Sequence, residues 1–203
     1  MQLQESKSKL LLPRNYLSYS ALTMWLKNPE RFKKEYFEGQ DKLDTKYLQF
    51  GKGMAEHRSK RELKPGQFTE YEVRVDVHGV PVLSFIDYYD GNTNTFEEDK
   101  TGKIAWSDSK VQKHEQLPFY ATVLKWKIGK MPEYCILNWI ETIEGCADDS
   151  DFWAKAEKKL TATGKIVQFM RAFDEREIVR MERLIVTAAT EISDSYKKWI
   201  SEI

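Results

Sequence analysis

An α/β fold of the α+β kind, a central mixed sheet flanked by helices, is predicted for this 203-residue chain by three observations. Glu70 to Thr101 holds three strand-like runs joined by short turns. Apolar residues on either side of that stretch recur at helical spacing. A further strand-like run, Tyr134–Ile140, follows a helical one, and the order strand, helix, strand implies a crossover that lets it pair in parallel with the earlier strands. Hydrophobic residues are 41% of the chain and aromatics 13%, enough for one sizeable core. The expected organisation is a single domain over 1–203: helices over 1–64, a sheet core over 65–145 and C-terminal helices over 146–203.

The elements follow in order. Residues 1–15 read as a loose arm carrying Leu10, Leu11 and Leu12. Leu17-Ser18-Tyr19-Ser20 opens a helix that Ser18 or Ser20 can cap. Pro29 can start a second helix running to Phe37. After a polar linker over 39–45, residues Tyr47 to Leu63 read as one helix, ended by Pro65-Gly66. Strands are expected over 70–77, 80–87 and 94–101, with His78-Gly79 as one tight turn and Asp90-Gly91-Asn92 as a short second one. Leu117, Tyr120, Ala121 and Leu124 have helical spacing, and Pro118 requires that this helix start nearby or kink. A strand over 134–141 and two helices, Phe152–Phe173 and Glu175–Ile203, complete the reading.

Net charge is zero, but its distribution is uneven. Residues 1–64 hold 14 Lys/Arg against 8 Asp/Glu, and residues 65–100 hold 2 against 8. An acidic centre beside a basic flank suits a cation site that meets an anionic polymer; the competing reading is ordinary solvated faces. The same two readings apply to Arg31, Lys33 and Lys34, and to the basic stripes of the last fifty residues. Two cysteines, Cys135 and Cys146, are too few for a disulfide framework and point to a reducing, cytoplasmic setting. No apolar run approaches membrane-spanning length.

The chemistry concentrates in Val80 to Lys103. An apolar run ends on Asp87, and the next strand carries Glu98, Asp99 and Lys100. Residues two apart on a strand share a face, so Glu98 and Lys100 point together and Asp99 points away. Two carboxylates and one ammonium on one patch suit a hard divalent cation with an anionic substrate.

Asp87 followed by Glu98-Asp99-Lys100 resembles the acid and (D/E)-x-K of the PD-(D/E)XK nuclease superfamily. The flanks, Ser84-Phe85-Ile86-Asp87 and Glu98-Asp99-Lys100-Thr101-Gly102-Lys103, resemble its RecB-like exonuclease branch, with Ser84 where that branch has glycine. Ser18-Tyr19-Ser20 and Pro29-Glu30-Arg31-Phe32 resemble the branch's opening; Asn28 stands where many relatives have the cysteine of an iron–sulfur cluster. Phe50-Gly51-Lys52 with Ala55-Glu56 resembles the first nuclease motif, and Gln116 with Tyr120 the Gln-x-x-x-Tyr motif.

The resemblance implies a restriction-endonuclease-like core and a Mg²⁺- or Mn²⁺-dependent DNA exonuclease of phage or bacterial type, without an iron–sulfur cluster. It implies catalysis by Glu56, Asp87, Glu98 and Lys100, and metal held by Glu56, Asp87, Glu98 and Asp99, the last through its carbonyl. Gln116 and Tyr120 would border the nucleic acid. His57 competes with Glu56, because helical neighbours lie about 100° apart and one alone faces the site; a carboxylate suits Mg²⁺ better than imidazole does. The implied partners are DNA ends, single- or double-stranded, and a helicase or recombination protein, with no membrane. Two other readings stand beside this one: a non-cleaving nucleic-acid-binding scaffold of the same fold, and a structure-specific endonuclease.

Overall fold

The structure is a computed structural model that describes residues 10–41, 45, 49–54, 60–145 and 159–203. Five strands form one mixed sheet in the order β1-β2-β3-β4-β5: β1 Gln67–Val77, β2 Val80–Asp90, β3 Thr95–Gly102, β4 Cys135–Gly145 and β5 Lys159–Arg171. All neighbours are antiparallel except β3 and β4, which pair in parallel from Phe96↔Cys135 to Gly102↔Glu141. Besides a helical stretch over 49–54, the helices are α1 Tyr19–Lys27, α2 Pro29–Tyr36, α3 Asp108–Gln112, α4 Gln116–Ile128 and α5 Glu175–Ser201. The α+β class is therefore borne out. None of the described helices is long and apolar enough to cross a membrane.

Local chemistry explains most boundaries. The Ser18 hydroxyl accepts the Ala21 N–H at the start of α1, and Asn28 does the same for Arg31 at α2, where Pro29 takes the first helical position. His78 (φ +53°) and Gly79 (φ +88°) turn β1 tightly into β2. Pro118 lies in the first turn of α4, where its missing N–H costs nothing, so the helix starts at Gln116 without a kink. Asp174 and Glu177 form a reciprocal capping box at the head of α5.

The core lies between the sheet and the helices. Leu117 to Leu124 on α4 are buried, and α5 turns Ile178, Met181, Ile185, Ala189 and Ile192 inward. Phe96 of β3 stacks on Phe173, with centroids 5.9 Å apart. The leucine arm is tied down: Leu12 is buried, and the Leu11 N–H donates to Ser193 Oγ at 2.9 Å.

Three expectations are corrected. The helix expected over 152–173 is instead β5 over 159–171; residues 152–158 lie outside the described set. Thr161, Thr163, Ile166, Val167 and Phe169 favour extended backbone, and Gly164 adopts a left-handed φ of +87° that a helix interior does not contain. β4 supplies the partner that local periodicity could not reveal. The helix expected over 47–63 is seen over 49–54 and has ended by Lys60, with 55–59 outside the described set. Arg61 lies in a bend, where it contacts Glu97, 3.2 Å away, and the Tyr88 ring, whose centre is 3.8 Å from its guanidinium. The β2–β3 connection is longer than a short Asp-Gly turn: Asp90 pairs with Thr95, leaving 91–94 as the loop. Asn94 (φ +52°) fixes that loop by accepting the Tyr89 hydroxyl at 3.0 Å and donating to the Met131 carbonyl at 2.9 Å.

Candidate active site

The site begins with a divided strand. One side of β2 pairs with β1 along its length. The other side is shared between two neighbours. Near its start the Leu17 N–H donates to Pro81 O at 2.8 Å and the Leu83 N–H to Leu17 O at 3.0 Å, a short parallel bridge. Near its end, Tyr88 to Asp90 pair with β3. Among the described residues, Ser84 to Asp87 have no strand partner on this side. The sheet is parted there, and Asp87 lies at the upper edge of the parting. Its Oδ2 accepts the main-chain N–H of Asp99 at 2.7 Å, taking the role a backbone carbonyl would fill in a continuous ladder.

β3 aims its acids by simple alternation. Glu98 is 2% exposed and pairs with the Lys100 ammonium two residues on. Lys100 Nζ also donates to Gln116 Oε1 at 2.8 Å, and Gln116 Nε2 donates to the Tyr120 hydroxyl at 2.7 Å. Gln116 and Tyr120 are one helical turn apart on α4, so both reach the sheet from one face. The row Glu98–Lys100–Gln116–Tyr120 is thus continuous across two elements.

Asp99 points the other way. Its Oδ1 accepts from Asn138 Nδ2 at 2.8 Å, and the same amide donates to Glu97 at 2.9 Å. Gln168 of β5 donates to Asn138 Oδ1 at 2.8 Å. This polar net on the far face locks β3, β4 and β5 in register behind the site.

Burial and crowding set the electrostatics. Burial, with Glu98 close by, pushes the Asp87 carboxyl up to about 8, against the opposing pull of the Asp99 N–H and of Lys100. Burial raises Glu98 as well, and the adjacent Lys100 ammonium partly offsets it. Glu98 Oε2 is buried without a hydrogen-bond partner. Two mutually repelling carboxylates, one with an orphaned oxygen, form the donor set that a hard cation neutralises, so the residues present fit Mg²⁺ or Mn²⁺. Among the described residues no group of three His, Cys, Asp or Glu side chains is arranged to hold a metal ion. Glu56 and His57, the two candidates for a third side chain, lie outside the described residues.

Five of the sequence candidates thus meet: Asp87, Glu98 and Lys100 with Gln116 and Tyr120. Asp99 joins them through its backbone, while its carboxylate serves the opposite face. Two residues beside the site escaped the sequence reading. Glu70 sits across from Asp87, in the interval between the pairs Thr69↔Tyr88 and Tyr71↔Ile86, and holds a left-handed φ of +46°. Its side chain is largely exposed, and partial desolvation together with the Asp99 charge raises its carboxyl. His114, next to the site on the α3–α4 link, is lowered to about 4 by burial and the Lys100 charge, and its Nε2 is buried without a partner. Neither position carries a motif; only the tertiary placement marks them.

Neither a family model nor a curated protein sequence matches the chain. Solved structures do resemble it. A phage-related exonuclease from Haemophilus somnus 129PT superposes with a TM-score of 0.52 at 16% identity, over 90% of this chain and 82% of that one. A protein from Eubacterium rectale provisionally assigned as an exonuclease superposes with a TM-score of 0.58 at 10% identity, over 97% and 88%. At these identities the likeness is one of fold, so the core that carries Asp87, Glu98 and Lys100 here is a core that exonuclease structures also have.

Proposed function

We propose that the protein is a divalent-metal-dependent deoxyribonuclease of the RecB-like kind, an exonuclease hydrolysing phosphodiester bonds at DNA ends in recombination, repair or phage DNA metabolism. The observation that carries the reading is the parted sheet: Asp87 and the buried Glu98 with its orphaned oxygen converge there on Lys100, which Gln116 holds from α4. Asp87, Glu98 and the Asp99 carbonyl would hold Mg²⁺ or Mn²⁺, with Glu56 as the third carboxylate. The bound ion would supply Lewis-acid charge to a phosphate oxygen and lower the pKa of water.

The chain's own groups do the rest. Lys100, fixed between a carboxylate and an amide oxygen, presents its ammonium where charge builds on the phosphate in the transition state. Gln116 holds that ammonium in place and in turn donates to Tyr120, so the positioning is set before substrate arrives. The Tyr120 hydroxyl, raised far above its ordinary range mainly by burial, stays protonated and can donate to a phosphate oxygen. Burial around Glu98 weakens competing water and strengthens each of these contacts.

End-labelled single- and double-stranded DNA, incubated with Mg²⁺, Mn²⁺ or EDTA, tests the reading. Stepwise loss of label with either metal and none in EDTA is expected. Cleavage of closed circular DNA at a similar rate would make the protein an endonuclease. Binding without cleavage under every condition would make it a scaffold.

A further inference from the structure

The acids in the first two turns of α5 are all committed to other elements. Glu175 pairs with Lys125 at 2.5 Å, and Glu177 with the buried Arg171 at 2.5 Å. Glu182 accepts the Trp126 indole N–H at 2.8 Å and lies 3.3 Å from His78. What these turns show to solvent is basic. Arg176, Arg180 and Arg183 stand at i, i+4 and i+7, on one side of the helix. Arg176 and Arg183 are exposed and have no ion-pair partner among the described residues. Arg180 is tied at 2.6 Å to Glu115, the residue just before Gln116 at the head of α4. The three arginines, with Glu175 and the half-buried Val179, line a shallow recess of about 400 Å³.

We infer that this arginine stripe lies along the phosphate backbone of the uncut, duplex part of a DNA substrate. The inference rests on the nuclease reading for its choice of ligand and goes beyond it in assigning a surface to the duplex. A helix face that is merely solvated sets acids three or four residues from its bases. Here Arg176 meets Arg180, and Arg180 meets Arg183, at those spacings, so the face repels itself until an anion covers it. The spacing suits a duplex. Arg176 and Arg183 are separated by about 10.5 Å along the axis at about 1.5 Å per residue. B-form DNA advances about 3.4 Å per phosphate along each strand, so the stripe covers about three consecutive phosphates. Guanidinium forks match phosphate oxygens. None of the residues lining the recess is aromatic, so it lacks the stacking platforms on which single strands are held. The Arg180–Glu115 pair joins the stripe to α4 beside Gln116, which holds Lys100. A duplex on the stripe therefore lies next to the element that borders the site.

The test uses the full chain carrying Lys100→Ala, so that the DNA stays intact. Affinity for a short blunt duplex, and for one of its strands alone, is measured by anisotropy over a range of salt. Each phosphate contact to a duplex contributes about 0.9 to the slope of log K against log salt. Adding Arg176→Gln with Arg183→Gln should make the duplex slope shallower by about 1.8 and weaken duplex binding about ten- to hundred-fold, with a much smaller change for the single strand. Arg176→Lys with Arg183→Lys keeps both charges and should keep the slope. Arg180 stays in place because it also pairs with Glu115. If the glutamine pair is unstable, each single glutamine variant carries the test, with an expected loss of about 0.9. A duplex slope that ignores the glutamine variants would overturn the assignment, and so would an equal change for duplex and single strand. Loss of binding to poly-L-glutamate with DNA binding unchanged would also overturn it, making the stripe a docking face for an acidic protein. A wild-type chain that cleaves DNA while its slope ignores both arginines loses this surface alone. One whose slope follows them but which cleaves nothing loses the nuclease reading alone.

Discussion

The Asp87 carboxylate accepts the main-chain N–H of Asp99 at 2.7 Å, at the point where β2 and β3 stop pairing. One acid thereby closes a gap in the sheet and stands beside the next strand's acid, Glu98. Its structural duty and its proposed ligand duty share one side chain.

That double duty has a pH consequence. In metal-free protein the folded state keeps the Asp87 proton until about pH 8, whereas an unfolded Asp loses it near pH 4. Between these values the folded state binds more protons, so stability falls as pH rises through the window. A cation replaces the proton at no such cost. The rise in Tm on adding Mg²⁺ should therefore be larger at about pH 9 than at about pH 5. Asp87→Asn should reduce the pH slope, leaving the part due to the raised Glu98 carboxyl, and weaken the metal response; differential scanning calorimetry with and without Mg²⁺ reads both.

Lys100→Ala should separate binding from cleavage. Both acids remain, and strand pairing depends on backbone, so the fold should survive. Metal affinity should hold or rise because a positive charge has gone. Single-turnover cleavage should fall by several orders of magnitude. Near-wild-type cleavage would remove the catalytic reading of the Glu-x-Lys segment.

Gln116→Ala should cost less, because it frees the Lys100 ammonium without deleting it. A fall in kcat of about ten- to hundred-fold, with little change in metal affinity, is the expected signature of lost positioning. Gln116→Glu should keep the contact to Lys100 and recover most of the rate; failure to recover would assign Gln116 to substrate contact instead.

Glu56→Gln should abolish metal-dependent cleavage, while His57→Ala should weaken it at most. An inactive His57 variant beside a fully active Glu56 variant would reverse the assignment, and isothermal titration with Mn²⁺ would show which side chain carries the ion.

Glu70 offers a prediction about strain. A non-glycine residue in the left-handed region costs roughly 1–2 kcal/mol, and Glu70 is solvent-exposed with φ at +46°. Glu70→Gly should raise stability in urea by up to about 1 kcal/mol. A loss of stability would mean that the Glu70 side chain anchors the interval opposite Asp87.

The sequence carried the class of the fold because its signals were local. Alternation in β1, the apolar run of β2, the cap at Ser18, Pro29 at the head of α2, and the acid-then-Glu-x-Lys order each act over a few residues. The alternation of Glu98, Asp99 and Lys100 was legible for the same reason, and the structure places those side chains on the two faces so expected. β5 was not legible, because its extended form depends on β4, which its own spacing does not encode. Arg61, expected in a helix, is non-helical and instead contacts Glu97 and Tyr88, residues far along the chain. Glu70 lies beside the site through strand register, and His114 through its place on the α3–α4 link.

The short bridge between Leu17 and Val82 has a further consequence. It shields the first half of β2, whose backbone groups on that side would otherwise stand ready to pair with any extended chain. A cut or deletion that removes the segment around Leu17 should leave an adhesive sheet margin beside an exposed Phe85, and the shortened protein should self-associate into β-rich aggregates before it loses its helices.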